Sequence, residues 1–146
     1  MFSVLRRKIT NTFPLQPVPK YRLSDAIADD DYGDRHFTFE ETWKSWDEIE
    51  NWQIVKCDIF FCFAPPEAAA YMIPRYMVFV LDEIEEKLPS ESRGYSSRDT
   101  AVWHLQRLQK KKYKNSSLTL HQINVIEGFL VEIRSDPDYS ATLDLG

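Results

Sequence analysis

Glycine, cysteine and long apolar runs are all scarce in this chain of 146 residues. With only four glycines, the chain has no glycine-rich loop of the kind that binds phosphates at the start of a helix. Its two cysteines cannot form the four-cysteine cluster of a structural zinc site. These absences exclude the best-marked nucleotide-binding and zinc-binding classes.

No segment is apolar over a length that would cross a bilayer. The longest apolar run, residues 68–81, is interrupted by Pro74 and Arg75 and is shorter than the roughly 20 residues of a membrane-spanning helix. The first residues place their basic charges after a short apolar patch, which reverses the order found in a secretory signal. The sequence therefore predicts no membrane segment and a cytoplasmic location.

Side chains that commonly carry catalysis or bind metals do not form a recognisable motif. His36, His104 and His121 lack the one-turn spacing with which a helix presents two imidazoles to zinc. Cys57 and Cys62 lie in an aromatic run, where free cysteine behaves as a small hydrophobic residue, so both are predicted to be buried thiols. We therefore predict no catalytic residue, no metal ion and no cofactor.

The hydrophobic pattern is helical along most of the chain and predicts a compact all-α single domain over residues 1–146. A short helical turn is expected between Asp25 and Ala28, a proline-rich connector over 14–24 and a tail over 135–146. Gln53 to Phe63 reads as a buried connection or a helix end. About five helices are predicted, over residues 2–13, 39–55, 64–88, about 101–108 and 119–135.

Pro74 lies in the middle of the longest predicted helix. A proline there removes a backbone hydrogen bond and costs about 3 kcal/mol unless the helix bends, so the sequence predicts a kinked central helix. The kink has two interpretations. It wraps the helix around its neighbours, or it turns the freed Ala70 carbonyl and Arg75 toward a cleft or a partner.

Charge is unevenly distributed. Residues 25–50 hold ten acidic residues against two basic ones, whereas residues 1–24 hold five basic residues and no acidic one. The acidic segment forms either a solvated surface or a surface that attracts a basic partner. Its Asp29, Asp31 and Glu40 have the spacing of a calcium loop, but Asp34 stands where that loop requires glycine.

The leading functional prediction is a non-catalytic protein-binding domain, specifically a bacterial immunity protein that neutralises a basic toxin. Small size, charge asymmetry and the missing catalytic motifs favour it, while the acidic net charge of −5 disfavours nucleic acid. The alternatives are a small enzyme with a site near Asp34, His36 and Arg75, or a structural subunit of a bacterial or phage assembly. The predicted partner-binding residues are Asp29, Asp30, Asp31, Asp34, Trp43, Trp46 and Arg75.

Several short patterns, taken in order, also resemble an uncharacterised family of small helical bacterial proteins. The resemblance covers most of the chain and implies a single bacterial domain without implying an activity or a catalytic residue. The patterns are Asp31-Tyr32-Gly33, His36-Phe37, Trp43 to Ile49, Phe63 with Pro65 to Ala68, Tyr71 to Met77 with Pro74, and Leu118 to Leu130 with Gln122.

Overall fold

The computed structural model describes residues 2–30, 39–85 and 95–136, apart from the side chains of 95–97. Within these residues there are helices and no strand, so the all-α prediction is confirmed. None of the described helices combines the length and the apolar character needed to cross a membrane. The α-helices are α1 (Ser3–Thr12), α2 (Leu23–Asp30), α3 (Asn51–Lys56), α4 (Phe60–Phe63), α5 (Pro66–Ile84), α6 (Tyr95–Lys110) and α7 (Leu120–Ser135), with a 3₁₀ turn at Trp46–Glu48.

The described residues therefore contain seven α-helices, where the sequence predicts about five. The helix predicted over 39–55 does not form as one element, because the chain is extended on both sides of the short 3₁₀ turn. A new helix, α3, begins at Asn51, where Glu50 and Gln53 form a reciprocal capping box. The segment predicted as a buried connection, 53–63, contains most of α3 and all of α4.

Helix α5 packs against α1, α3, α6 and the 3₁₀ turn. Helix α7 packs against α1 and α6, and α4 packs against α2. The apolar stripe of α5 is buried on most sides, as its sequence predicts. The largest fully buried side chains are Ile9, Phe13, Leu23, Ile54, Phe60, Ile73, Tyr76, Met77, Phe79, Leu81 and Phe129.

Two helix starts follow directly from local sequence signals. Pro66 occupies the first position of α5, where its missing N–H costs no hydrogen bond. Thr119 and Gln122 form a capping box at the start of α7, in which the Gln122 N–H donates to Thr119 Oγ1 at 3.2 Å. The Thr119 N–H donates in return to Gln122 Oε1 at 3.0 Å. These local features define the first turns of α5 and α7.

Gly128 weakens α7 without an evident packing reason. A Cβ built on Gly128 meets no heavy atom of the surrounding structure within 4 Å, and the residue lies inside a regular helix. Because glycine is about 1 kcal/mol less favourable than alanine inside a helix, Gly128→Ala should raise the free energy of unfolding by about 1 kcal/mol. Urea unfolding followed by circular dichroism measures this change, and a loss of stability would contradict it.

Candidate functional site

The two tryptophans predicted at a partner surface are buried in the core. Trp43 and Trp46 are 5% and 2% exposed. The Trp43 ring stacks on Tyr71 at 6.4 Å, and the guanidinium of Arg22 lies 4.3 Å from the centre of the same ring. The expectation of an indole surface at these positions is therefore corrected: both rings stabilise the fold, and a partner would have to open the core to reach them.

Trp52 is the exposed indole of this segment. It is 38% exposed, its ring meets Phe39 edge-on at 5.1 Å, and its Nε1 donates to a carboxylate oxygen of Glu50. Trp52 lies six residues after Trp46, on the same three-residue series, so spacing alone does not separate the exposed indole from the buried ones. An aromatic side chain next to a carboxylate is thus present on the surface, but at a different residue from those predicted.

Three carboxylates lie near the end of α2. Asp29 and Asp30 are exposed, and Asp29 Oδ2 accepts a 2.5 Å hydrogen bond from the Tyr21 hydroxyl. Burial raises the pKa of Asp58, and the negative charge of Asp30 raises it further. The other predicted residues of the acidic segment, Asp31 and Asp34, lie outside the described residues, as does His36.

Glu41 has a structural role that its position in the acidic segment conceals. Its carboxylate accepts hydrogen bonds from the Leu23 N–H at 3.0 Å and the Ser24 hydroxyl at 2.8 Å, at the beginning of α2. It also accepts a 3.3 Å hydrogen bond from Trp43 Nε1. A carboxylate at a helix N-terminus satisfies free N–H groups and interacts favourably with the helix dipole. Glu41 thus caps a helix that begins 18 residues earlier in the chain.

Arg75 is buried and holds the chain between the 3₁₀ turn and α3. It is 5% exposed, its Nε donates to the Ile49 carbonyl at 2.8 Å, and its Nη2 donates to Asn51 Oδ1. Burial lowers the pKa of Arg75 to about 10, while the negative charge of Asp82 opposes this shift. The guanidinium therefore fastens one backbone segment to α5 and is not offered to solvent.

Asp82 extends this polar network to the surface of α1. Asn51 Nδ2 donates to Asp82 Oδ2 at 3.2 Å, and Arg6 Nη2 lies 2.7 Å from Asp82 Oδ1. Arg6 also pairs with Glu85 at 3.2 Å. The network runs from buried Arg75 through Asn51 and Asp82 to Arg6, and it joins α1, α3 and α5.

A thiol and an imidazole meet between α4 and α6. Cys62 Sγ lies 3.7 Å from His104 Nε2, and the Cys62 side chain is exposed. The prediction of two buried thiols is therefore wrong for Cys62 and right for Cys57, which is fully buried with its Sγ 3.8 Å from the Leu23 carbonyl. Cys62 reaches the surface because α4 buries Phe60 on its inner side.

The thiol opens into a groove of about 450 Å³, which we call the thiol groove. Burial lowers the pKa of His104, and the nearby positive charge of Arg107 lowers it further, so both effects favour the neutral imidazole. A neutral imidazole can accept a proton, and two cationic side chains in the lining can attract an anion. The lining residues are Phe61, Cys62, Ala69, Trp103, His104, Arg107, Leu108 and Lys111.

In the part of the chain that the structure describes, no three His, Cys, Asp or Glu side chains converge on a position for a metal ion.

A family model matches residues 2–143, nearly the whole chain, and carries the description "Family of unknown function (DUF6714)". The chain belongs to this family. The resemblance to an uncharacterised family is thereby confirmed, while its bacterial origin stays a prediction. No curated protein and no solved structure matches the chain.

The functional features that the sequence did not reveal all depend on contacts between distant segments. Cys62 and His104 are 42 residues apart, and Glu41 and Leu23 are 18 apart. Helical spacing relates residues three or four apart and carries no information on such pairs. A local signal for the groove did exist, since Trp103 and Arg107 are one turn apart on α6, with the guanidinium 5.3 Å from the ring centre.

Proposed function

We propose that this chain is a non-catalytic domain that binds a basic protein partner at the acidic end of α2. The supporting observation is the exposure of Asp29 and Asp30 beside Asp58, whose pKa is raised by burial and by Asp30. Carboxylates held together in this way repel one another, and a cationic partner would relieve that repulsion.

The position on the helix adds to this argument. Asp29 and Asp30 are the last two residues of α2, where the helix dipole places partial negative charge. The dipole is therefore unfavourable for both carboxylates, and Asp30 is in addition repelled by Asp58. A basic surface docked there would interact favourably with the side chains and with the helix end at once, which favours this end as the docking position.

A more specific form of the proposal is a bacterial immunity protein that neutralises a basic toxin in the cytoplasm. The support is the charge asymmetry of the chain and its small size. Trp52, exposed beside Glu50, takes the role of aromatic anchor that the buried Trp43 and Trp46 cannot perform. We further propose that Pro74, which is buried within α5, bends this central helix around its neighbours.

The binding proposal is tested with the double variant Asp29→Asn and Asp30→Asn. Protein captured from the native host is identified by mass spectrometry, and its affinity for the purified chain is then measured by calorimetry at low and high salt. We expect a basic partner whose affinity falls at least tenfold in the double variant and also falls with salt, because the interaction is between charges.

The matched control is Glu132→Gln with Asp99→Asn, which removes the same charge from exposed positions on α7 and α6. Equal loss of affinity in the control and in the double variant would contradict a specific site at α2. The more specific proposal, an immunity protein that neutralises a toxin, predicts in addition that producing this chain restores the growth of cells that produce the captured partner. Unchanged toxicity would exclude that form while leaving the calorimetric result to decide on binding.

The two alternatives remain predictions. The enzymatic one places a site near Asp34, His36 and Arg75, and the burial of Arg75 against the Ile49 carbonyl gives that site no support from the described residues. The assembly-subunit alternative has some support from the surface, since Val4 of α1 and Leu120 and Val131 of α7 are largely exposed.

A further inference from the structure

In the thiol groove, the Cys62 thiol and two aromatic rings lie against the His104 imidazole. The Cys62 sulfur and the His104 Nε2 are 3.7 Å apart, within hydrogen-bonding distance for sulfur. The Trp103 ring meets His104 edge-on at 4.9 Å, and Phe61 lies 5.5 Å from the imidazole on another side. These rings hold the imidazole next to the thiol. A nucleophile and a base in contact are the minimum requirement for activating a thiol.

The electrostatics of the groove select the kind of molecule that fits. Arg107 of α6 and Lys111, the residue that follows the end of α6, are both exposed and both line the groove. Trp103 is 52% exposed and offers an apolar face at the same place. Among the described residues that line the groove, none is acidic. A small molecule with carboxylates and a reactive sulfur matches this combination of cations, aromatic surface and thiol.

We propose that the thiol groove is a site of reversible thiol exchange, at which Cys62 forms a mixed disulfide with an anionic low-molecular-weight disulfide. This inference goes beyond the proposed partner binding and involves different helices. It assigns a role to an exposed thiol that the acidic end of α2 does not use.

The exchange needs no reagent other than the disulfide itself. His104 accepts the Cys62 proton, and the resulting thiolate attacks one sulfur of the disulfide. The bond between the two reagent sulfurs breaks as the new bond to Cys62 forms. The departing half leaves as a thiolate and receives the proton from His104. One half of the reagent and Cys62 end as a mixed disulfide, and the other half is reduced to a free thiol.

The second cysteine provides an internal control. Cys57 is fully buried, and burial raises its pKa far above the usual range. Because only the thiolate is nucleophilic, Cys57 should remain unmodified while the protein is folded. Modification restricted to Cys62 therefore reports on the groove, whereas modification of both cysteines reports on unfolding.

The experiment compares two probes on the full chain: oxidised glutathione, which carries carboxylates, and bis(2-hydroxyethyl) disulfide, which is neutral. Adducts are followed by intact-protein mass spectrometry and located by peptide mapping. We expect one adduct, at Cys62, formed faster in the folded chain than in the same chain unfolded in urea. Cys62→Ser should abolish it, and Cys57→Ala should retain it.

Two sets of variants separate activation of the thiol from recognition of the anion. His104→Asn should slow both probes, by about tenfold or more, because it removes the base. Because the charge of Arg107 also lowers the pKa of His104, the two probes are compared as a ratio: Arg107→Gln with Lys111→Gln should lower the rate of oxidised glutathione relative to the neutral probe by about fivefold per charge. Lys110→Gln with Lys114→Gln is the matched control, since it removes two exposed cations of the same segment that do not line the groove.

Three results would overturn the inference. In the first, folded Cys62 reacts no faster than the urea-unfolded chain. In the second, His104→Asn reacts with both probes at the wild-type rate. In the third, the groove variant and the lysine control slow oxidised glutathione equally, which would assign the effect to net charge. Circular dichroism of each variant confirms that it is folded, so a rate change is attributed to the groove.

Discussion

Glu41→Ala is expected to lower the free energy of unfolding by about 2–3 kcal/mol. The substitution removes the acceptor for the Leu23 N–H, the Ser24 hydroxyl and Trp43 Nε1, and hydrogen bonds to a charged group each contribute about 1.5–3 kcal/mol. The value is below their sum because water can replace part of these contacts at a partly buried site. Urea unfolding followed by circular dichroism and tryptophan fluorescence measures it.

Glu40→Ala is the matched control for this prediction. Glu40 is the preceding residue, carries the same charge and is exposed, so its removal should change stability by less than about 0.5 kcal/mol. Equal effects of the two substitutions would show that the net charge of the segment matters and the cap on α2 does not. A large difference would show that the acidic segment contains a structural carboxylate among solvated ones.

Arg75→Ala is expected to lower the free energy of unfolding by about 3–4 kcal/mol. It leaves the Ile49 carbonyl and Asn51 Oδ1 without their donor and creates a cavity beside α5, and both effects destabilise a buried site. Arg75→Met fills most of the volume without the hydrogen bonds, and it avoids the cost of burying a charge. We therefore expect a smaller loss for Met, of about 1–2 kcal/mol.

Arg7→Ala, on the exposed side of α1, serves as the control and should be nearly neutral. The same unfolding measurement decides between the two interpretations of the Pro74 region. If Arg75→Ala were as stable as the wild type, the guanidinium would not hold the 3₁₀ turn to α5. A role toward a partner would then be the better explanation of the residue.

The elements that local sequence predicts well are those with local causes. The start of α7 follows from Thr119 and Gln122, and the start of α5 follows from Pro66, because each signal acts within one helical turn. The burial of α5 follows equally from its wide apolar stripe. All of these predictions use residues that touch near neighbours in the chain.

The candidate sites required knowledge that no local pattern contains. Trp43 and Trp46 have the spacing of a helical face, yet Trp43 is buried between Arg22 and Tyr71, both of which come from other parts of the chain. Two aromatic residues at the surface and two in the core look alike in sequence, because burial depends on what packs against them. The meeting of Cys62 with His104 is likewise a property of how α4 and α6 pack.

The unequal exposure of the four tryptophans gives the chain two optical reporters. Trp43 and Trp46 are shielded from solvent, so their emission follows the integrity of the core. Trp103 lies in the lining of the thiol groove, beside His104 and under the influence of Arg107, and its emission is open to quenchers dissolved in the solvent. Light from Trp43 and Trp46 therefore reports on folding, and Trp52→Phe, which removes the other exposed indole, leaves Trp103 as the reporter of groove occupancy.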